Sequence, residues 1–309
     1  MSNPTVCAIV LDYNGAEKTK ECLISLVGQG LQTIYVLDNS ASERATTNLR
    51  DAMAHVAGAQ PEFTIKILTA GKNLGFGRGV NFVLAHDLRS ETPHDYYLLL
   101  NNDAIAGPAL VSGLVSALEN EPQAALAAPR VVSSDLGREF GIWYHRYLGL
   151  LLSRPGKFRF HYFTGCCLLL PRNLVGAAGL FDETFFIYGE DAELGWRLLR
   201  AREKTLCVRD VYVEHEYGPS VNRASLFYEY HMVRAHLRLS RLTYRHPIEV
   251  PMLMVTKSIT LSVRAVVRSF RNLTLSPLAA LFLALLPSQR ILHHPVRSFI
   301  LRSLPSRFF

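Results

Sequence analysis

Four short apolar runs in the first 103 residues, at 6–11, 33–37, 63–68 and 96–100, each lead into a polar turn. They read as strands, and the run at 96–100, too short for a helix and without a helical period, as a buried strand of a parallel sheet. Between them apolar residues recur at helical spacing, as at Cys22, Leu23, Leu26 and Val27. This alternation predicts an α/β fold with a Rossmann-like, mostly parallel sheet flanked by helices. Parallel strands end on one edge, so Asp12, Asp38, Asn73 and Asp103, far apart in sequence, are expected to gather there. That edge is where open α/β sheets bind ligands.

Asp103 closes the fourth run as Leu100-Asn-Asn-Asp103. Asn and Asp are common turn formers, and a strand-ending turn needs nothing more. A carboxylate at that edge also suits a hard divalent cation, which takes oxygen ligands and usually holds substrate phosphates too. After the third run comes Gly71-Lys-Asn-Leu-Gly-Phe-Gly-Arg-Gly-Val-Asn81. Glycine permits positive φ and close approach of a ligand, and a helix N-terminus favours phosphate; a plain turn fits as well. The spacing is G-x-G-x-G and no Gly-Lys-Ser/Thr is present. A dinucleotide fingerprint therefore fits poorly and a P-loop is excluded.

Residues 131–160 lose the pattern and read as a loop-rich excursion. Residues 164–170 are strand-like, and 208–215 form a last short strand ending in His215, between Glu214 and Glu216. A lone histidine is more often structural than a ligand, yet histidine is the commonest metal-binding side chain. Facing Asp103, it would complete a two-ligand site. Glu190 and Asp191 head a helix marked by Leu194 and Leu198. Acids in a first helical turn are favoured for capping and dipole reasons. The functional alternative is a general base at the edge of a pocket walled by Phe185, Phe186 and Tyr188.

At 309 residues, 49% hydrophobic and 19% charged, the chain can bury one large domain with an appendage. Its five cysteines have no C-x-x-C or zinc-type spacing, which favours a reducing compartment over a disulfide framework. Met1-Ser-Asn-Pro-Thr5 is not basic, so no signal peptide is expected. The net charge of +7 is unevenly spread: residues 234–309 hold twelve Lys or Arg against Glu249, a net +11, and the rest carries −4. A basic tail, helical from about residue 226, points to an anionic partner. Val263, Val266, Val267 and Phe270 share one helical face and Arg264, Arg268 and Arg271 another. This pattern predicts an amphipathic basic helix lying on anionic lipid, with packing on the preceding domain as the alternative. The apolar stretch 278–286 falls well short of the ~20 residues a membrane span needs. Zinc-finger and RNP motifs are absent from the tail, so no nucleic-acid partner is expected.

These pieces occur in a known order. Val10-Leu-Asp-Tyr-Asn-Gly15, Val36-Leu-Asp-Asn-Ser40, Asn73-Leu-Gly-Phe-Gly-Arg-Gly-Val-Asn81, Leu100-Asn-Asn-Asp103, Thr164-Gly165, Gly179-Leu-Phe-Asp-Glu183, Phe186-Ile-Tyr-Gly-Glu-Asp191 and His215 resemble the inverting GT-A enzymes of glycosyltransferase family 2. The likeness extends to rhamnosyltransferase-like members that build bacterial surface polysaccharides. It implies a catalytic domain over 1–222, with a nucleotide-sugar half at about 1–129 and an acceptor half at about 130–222, then a basic helical region over 223–309. It further implies that Asp12, Tyr13, Asn14 and Asp38 line the base and ribose site. Asn73, Gly75, Phe76, Gly79, Asn81, Asn101 and Asn102 would shape the rest of the nucleotide-sugar pocket. Asp103 and His215 would hold Mg2+ or Mn2+, Asp191 would be the catalytic base, and Thr164, Gly165 and Glu190 would lie on the acceptor side. The implied partners are a nucleotide-diphosphate sugar, with dTDP-rhamnose as the suggested donor, and a lipid-linked or oligosaccharide acceptor. The implied place is the cytoplasmic face of the cell membrane. Many relatives read Asn-Pro-Asp or Asp-x-Asp at 101–103, and many carry Asn at position 12. A sugar nucleotidyltransferase should carry a basic Gly-rich loop after the first strand, where this chain has Asp12-Tyr-Asn-Gly15. A non-catalytic membrane-binding module would have no use for both Asp103 and Asp191.

Overall fold

The computed structural model describes residues 4–59, 61–133, 137–139, 141–176, 179–215 and 225–286. By compactness the chain divides into two units, residues 1–144 with 151–217, and residues 145–150 with 218–309.

The first unit opens with β1 (Val6–Asp12), α1 (Ala16–Ser25), β2 (Thr33–Asp38), α2 (Glu43–Gly58), β3 (Thr64–Thr69), α3 (Phe76–Asp87) and β4 (Tyr96–Leu100). It continues through β5 (Ala104–Ala106), α4 (Leu110–Asn120), β6 (Ala124–Ser133), β7 (Gly137–Glu139), β8 (Ile142–His145), β9 (Leu151–Leu152) and β10 (Arg159–Tyr162). It closes with β11 (Cys167–Pro171), α5 (Glu190–Ala201) and β12 (Lys204–His215). The main sheet runs β3-β2-β1-β4-β11-β6-β12-β5, with β7 beside β6. Alternation along β1 builds the core on both faces. Val6, Ala8 and Val10 pack with Leu23 of α1, Met53 of α2 and Leu114 of α4. Cys7 and Ile9 point the other way, toward Val80 and Leu84 of α3 and Leu194 and Leu198 of α5. Each large apolar side chain so buried contributes about 1.5–3 kcal/mol.

The expected α/β fold with a largely parallel sheet is present, β6 and β12 also pairing in parallel, and antiparallel strands are set into it. β1 pairs in parallel with β2 and β4, and β2 with β3. β11 then lies antiparallel between β4 and β6, and β5 is antiparallel to β12. An evenly apolar run shows that a strand is buried on both faces but not which way it points; the path of the connection decides that. The direction matters here, because Cys167 pairs with Leu100. The turn entering β11 therefore lies at the carboxyl end of β4.

Two expectations change. The stretch 131–160 is not merely loop. It contains β7, β8 and β9 and the start of β10, and β8–β10 form a separate three-stranded sheet. Tyr144 and Phe160 are buried there, the Phe160 ring 5.1 Å from that of Trp196 on α5. Strands of two to four residues are too short to show a period. The last strand begins at Lys204, and its register breaks between Lys204 and Thr205 and between Val208 and Tyr212. Those irregularities interrupt the alternation that would have marked its full length.

The second unit contains α6 (Leu226–Leu242), α7 (Val250–Asn272) and α8 (Ser276–Leu285). Tyr230, Val233, Leu261, Ala280 and Ala284 form its apolar centre. Arg264 and Arg268 do not lie on an outer basic face as expected. Arg264 donates to Glu229 at 2.7 Å and Arg268 also pairs with it, while Val263, Val266, Val267 and Phe270 are exposed. The cause is Glu229 on α6, fully buried and in need of compensating charge. Arg290, Arg297, Arg302 and Arg307 lie outside the described residues.

Candidate active site

The site is assembled at the carboxyl ends of the strands. Asp12 and Asp38 sit side by side in the β1–β2 register. Asp12 is fully buried and accepts from the Thr19 hydroxyl at 2.6 Å, with Ser40 Oγ and the Gly15 amide at 3.4 Å. Burial pushes its carboxyl above the usual range. Asp38 accepts from the Ser40 amide at 2.9 Å and from Thr46. Both carboxylates thus brace the turns around the edge. Tyr13 and Asn14, between them, are exposed, and Asn14 takes a left-handed φ of 55°.

The glycine loop is clasped from two sides. Asn39 Nδ2 donates to the Gly75 carbonyl at 3.0 Å, and the Leu74 amide donates to Asn39 Oδ1 at 2.7 Å. Asn73 accepts from the Gly75 amide at 2.8 Å. The Phe76 amide donates to the Phe186 carbonyl at 2.8 Å. Gly75 has φ 78°, and a Cβ there would lie 2.1 Å from that carbonyl oxygen, so only glycine fits the clasp. Gly79 is packed under Leu11 and Leu37. Asn81 is buried; its Nδ2 donates to the Phe181 carbonyl at 2.9 Å, and its Oδ1 accepts the amides of Leu180 and Phe181. Gly79 is thus packed against β1 and β2, and Asn81 holds the 179–183 loop.

Asp103 and His215 meet. β12 pairs with β5 so that His215 lies opposite Ala104, and His215 Nε2 is 3.0 Å from Asp103 Oδ1. Asn101 Nδ2 is 3.5 Å from the same nitrogen, while Asn102 donates to Thr19 at 3.0 Å. Asp103 and His215 open onto a crevice of ≈ 280 Å³ lined also by Lys18, Glu21, Ile105, Val132 and Glu214. A carboxylate oxygen and an imidazole nitrogen about 3 Å apart suit two ligands of one cation with bonds of about 2.1 Å. One oxygen and one nitrogen donor fit a divalent cation. Cys7, Asp87 and His94 also offer ligand atoms within 4.8 Å of one another, at the amino ends of the strands. There Asp87 already accepts from Tyr35, Tyr97 and His94, and burial pushes the Cys7 thiol up. That cluster is a hydrogen-bonded brace.

One turn connects the Asp103 strand end with Asp191. The Asn101 amide donates to the Cys166 carbonyl at 2.8 Å, and the neighbouring Gly165 backbone hydrogen-bonds the Asp191 carboxylate. A Cβ on Gly165 would press on the Phe76 ring at 2.8 Å, so Gly165 also lets the glycine loop close in. Thr164, just before it, is half-buried. Tyr188 and Gly189, both at positive φ (68° and 92°), turn the chain sharply into α5. Gly189 holds the N-cap position and makes no side-chain cap bond, while the Ala192 amide donates to Asp191 Oδ1 at 2.7 Å. Burial pushes Asp191 up to about 6. Glu190 is raised as well, by burial and by the charge of Asp191. Asn39, Ser40 and Thr19 were not singled out in the sequence; the polar run Asp38-Asn-Ser40 was the available signal.

The family model for glycosyl transferase family 2 matches residues 7–177. N-acetylglucosaminyl-diphospho-decaprenol L-rhamnosyltransferase from two strains of Mycobacterium tuberculosis is 27% identical over 195 residues, which cover 54% of this chain and 64% of the relative. The chain thus spans less than two thirds of those relatives. Among solved structures, GalNAc-T7 with UDP, GalNAc and Mn2+ superposes with a TM-score of 0.58 at 14% identity, covering 76% of this chain and 48% of that one. The mannosyltransferase PcManGT from Pyrobaculum calidifontis, with GDP-Man and Mn2+, gives 0.53 at 14% identity, covering 92% and 86%. At such identities the likeness is one of fold.

Proposed function

Because the chain belongs to glycosyl transferase family 2, we propose that it is an inverting enzyme that moves a sugar from a nucleotide diphosphate to a hydroxyl of a lipid-linked saccharide. The observation that carries this reading is the Asp103–His215 pair at 3.0 Å, tied through the Asn101–Cys166 and Gly165–Asp191 hydrogen bonds to a raised carboxylate. A rhamnosyl donor and a polyprenol-linked acceptor are suggested by the name of the 27% identical relatives.

In this reading Asp103 and His215 would hold a divalent cation, which supplies Lewis-acid stabilisation of the departing diphosphate. The loops at 13–14 and 73–76 seat the nucleotide, and the bond from the Phe76 amide to the Phe186 carbonyl brings the acceptor loop against the second of them. Asp191 Oδ takes the proton of the acceptor hydroxyl as that oxygen attacks the anomeric carbon from the face opposite the leaving group. The Gly165 backbone and the Ala192 amide, 2.7 Å from Asp191 Oδ1, hold the carboxylate in place before the proton arrives. Seating donor and acceptor together also supplies a proximity gain. The basic second unit would keep the enzyme at the cytoplasmic face of the membrane, where a lipid-linked acceptor resides.

Calorimetric titration with UDP, dTDP and GDP, with and without Mn2+, tests the donor side. One nucleotide should bind in a Mn2+-dependent way, and Asp103→Ala should abolish that dependence. Equal binding with and without the ion in both proteins would refute the assignment. Release of pyrophosphate from a nucleoside triphosphate and a sugar phosphate would instead mark a nucleotidyltransferase.

A further inference from the structure

The helical unit is built inside out. Among its described residues, Glu229, His236, Ser240, Thr243 and Lys257 are buried, and Arg264 and Arg268 turn inward to Glu229. The outward side of α7 carries Met252, Val255, Ile259, Val263, Val267 and Phe270, three or four residues apart, and α8 adds Phe282 and Leu285. Phe270 is 76% and Phe282 66% exposed. Ser262 is the one polar side chain exposed between Met252 and Phe270, and its hydroxyl donates to the Ser258 carbonyl at 2.9 Å. A helix on a soluble core shows the opposite arrangement, and a continuous apolar face of this kind marks an interaction surface. From Met252 to Phe270 the stripe runs about 27 Å. Exposed cations stand at both ends, Arg245 before it and Arg271 after it.

We propose that this face inserts among the acyl chains of one leaflet of an anionic bilayer, with α7 and α8 lying along the interface. Arg245 and Arg271 meet the headgroups. Their charge, within a region of net +11, complements anionic lipid. A two-fold pairing with a second copy would set like-charged ends against each other. Arg264 and Arg268 are each 25% exposed and stay within reach of water, which suits a helix lying in the surface and not one crossing it. The inference rests on the membrane reading above and specifies its mode: apolar insertion holds the unit in place, and the charges orient it.

Flotation of the full-length protein with vesicles of phosphatidylcholine alone, or mixed with phosphatidylglycerol, tests this. Raising NaCl from about 0.1 M to about 1 M shortens the screening length from about 10 Å to about 3 Å. Binding to mixed vesicles should then fall less than about threefold, and neutral vesicles should still bind. The double variant Val263→Glu/Phe270→Glu changes exposed residues only. It should keep the wild-type thermal midpoint and lose at least about tenfold in binding. Binding that requires phosphatidylglycerol and vanishes in high salt would overturn the inserted face while leaving membrane attachment standing. No binding to either vesicle would overturn both. A dimer in sedimentation that the double variant dissolves, without vesicle binding, would assign the face to a second copy and also overturn the proposal.

Discussion

Asp191→Asn keeps the outline of the side chain and removes its ability to take a proton. General-base catalysis contributes about 10²–10⁴-fold, so transfer should slow by at least about a hundredfold, with nucleotide affinity and thermal midpoint near wild type. Asn keeps an oxygen that can accept from the Ala192 amide, as Asp191 Oδ1 does at 2.7 Å, so the helix start should lose little by the change. Initial rates and thermal melts check both halves; a surviving rate would leave Asp191 only a local role. Burial holds the Asp191 carboxyl near 6, and only its charged form accepts a proton. The wild-type rate should therefore decline as pH drops below about 6, and the Asn variant should lack that limb. Asn81 makes a different case. Asn81→Ala strands the amides of Leu180 and Phe181 and the Phe181 carbonyl, and each buried unsatisfied group costs about 1–3 kcal/mol. A urea midpoint should show a loss of about 2 kcal/mol or more, whereas a merely pocket-lining Asn81 would leave stability unchanged.

The junction of α3 and β4 depends on Asp87, which accepts from the hydroxyls of Tyr35 and Tyr97 and from the amide and Nδ1 of His94, all within 3.0 Å. Burial alone would raise this carboxyl, but the hydrogen bonds and charge of His94, with the Tyr35 bond, outweigh it and hold it near 2. A depressed carboxyl stabilises the fold fully above its ordinary value and loses that contribution as pH falls through its folded value. The window is therefore about pH 4 down to about pH 2, and the amount about 2 kcal/mol. Urea midpoints from pH 6 to pH 2 should fall less steeply for Asp87→Asn than for wild type. Equal slopes would assign the acid sensitivity to another carboxylate. Elements differ in how openly they announce themselves. The four runs before Asp103 are legible because each is short, largely apolar and ends in a polar turn; β1, β2 and β4 are buried, whereas β3, at the sheet edge, is only partly covered. β8–β10 are not, because two to four aromatic-rich residues carry no period.

For the molecule as a whole, ending the chain after Arg245 tests whether the second unit is an appendage. The cut removes Arg264 and Arg268 from buried Glu229 and Glu249 from buried Arg146. Removing one partner of a buried pair costs about 3–5 kcal/mol. The truncated chain should lose soluble yield or melt well below full length. A truncated protein as soluble and stable as the whole would mean that α6 does not need α7. The sequence by itself determined the strand–helix alternation, the carboxylate-bearing sheet edge and the periodicity of α7, because run length and spacing are local properties. Tertiary structure decided the rest. It set the direction of β11 and brought together Asp103 and His215, 112 residues apart. It spent Asn81 and Asp12 on internal bonds, and turned Arg264 and Arg268 inward. A helical pattern shows that two faces differ. Which face is buried depends on the partner, and a buried carboxylate on α6 drew the arginines in and left the apolar face outside.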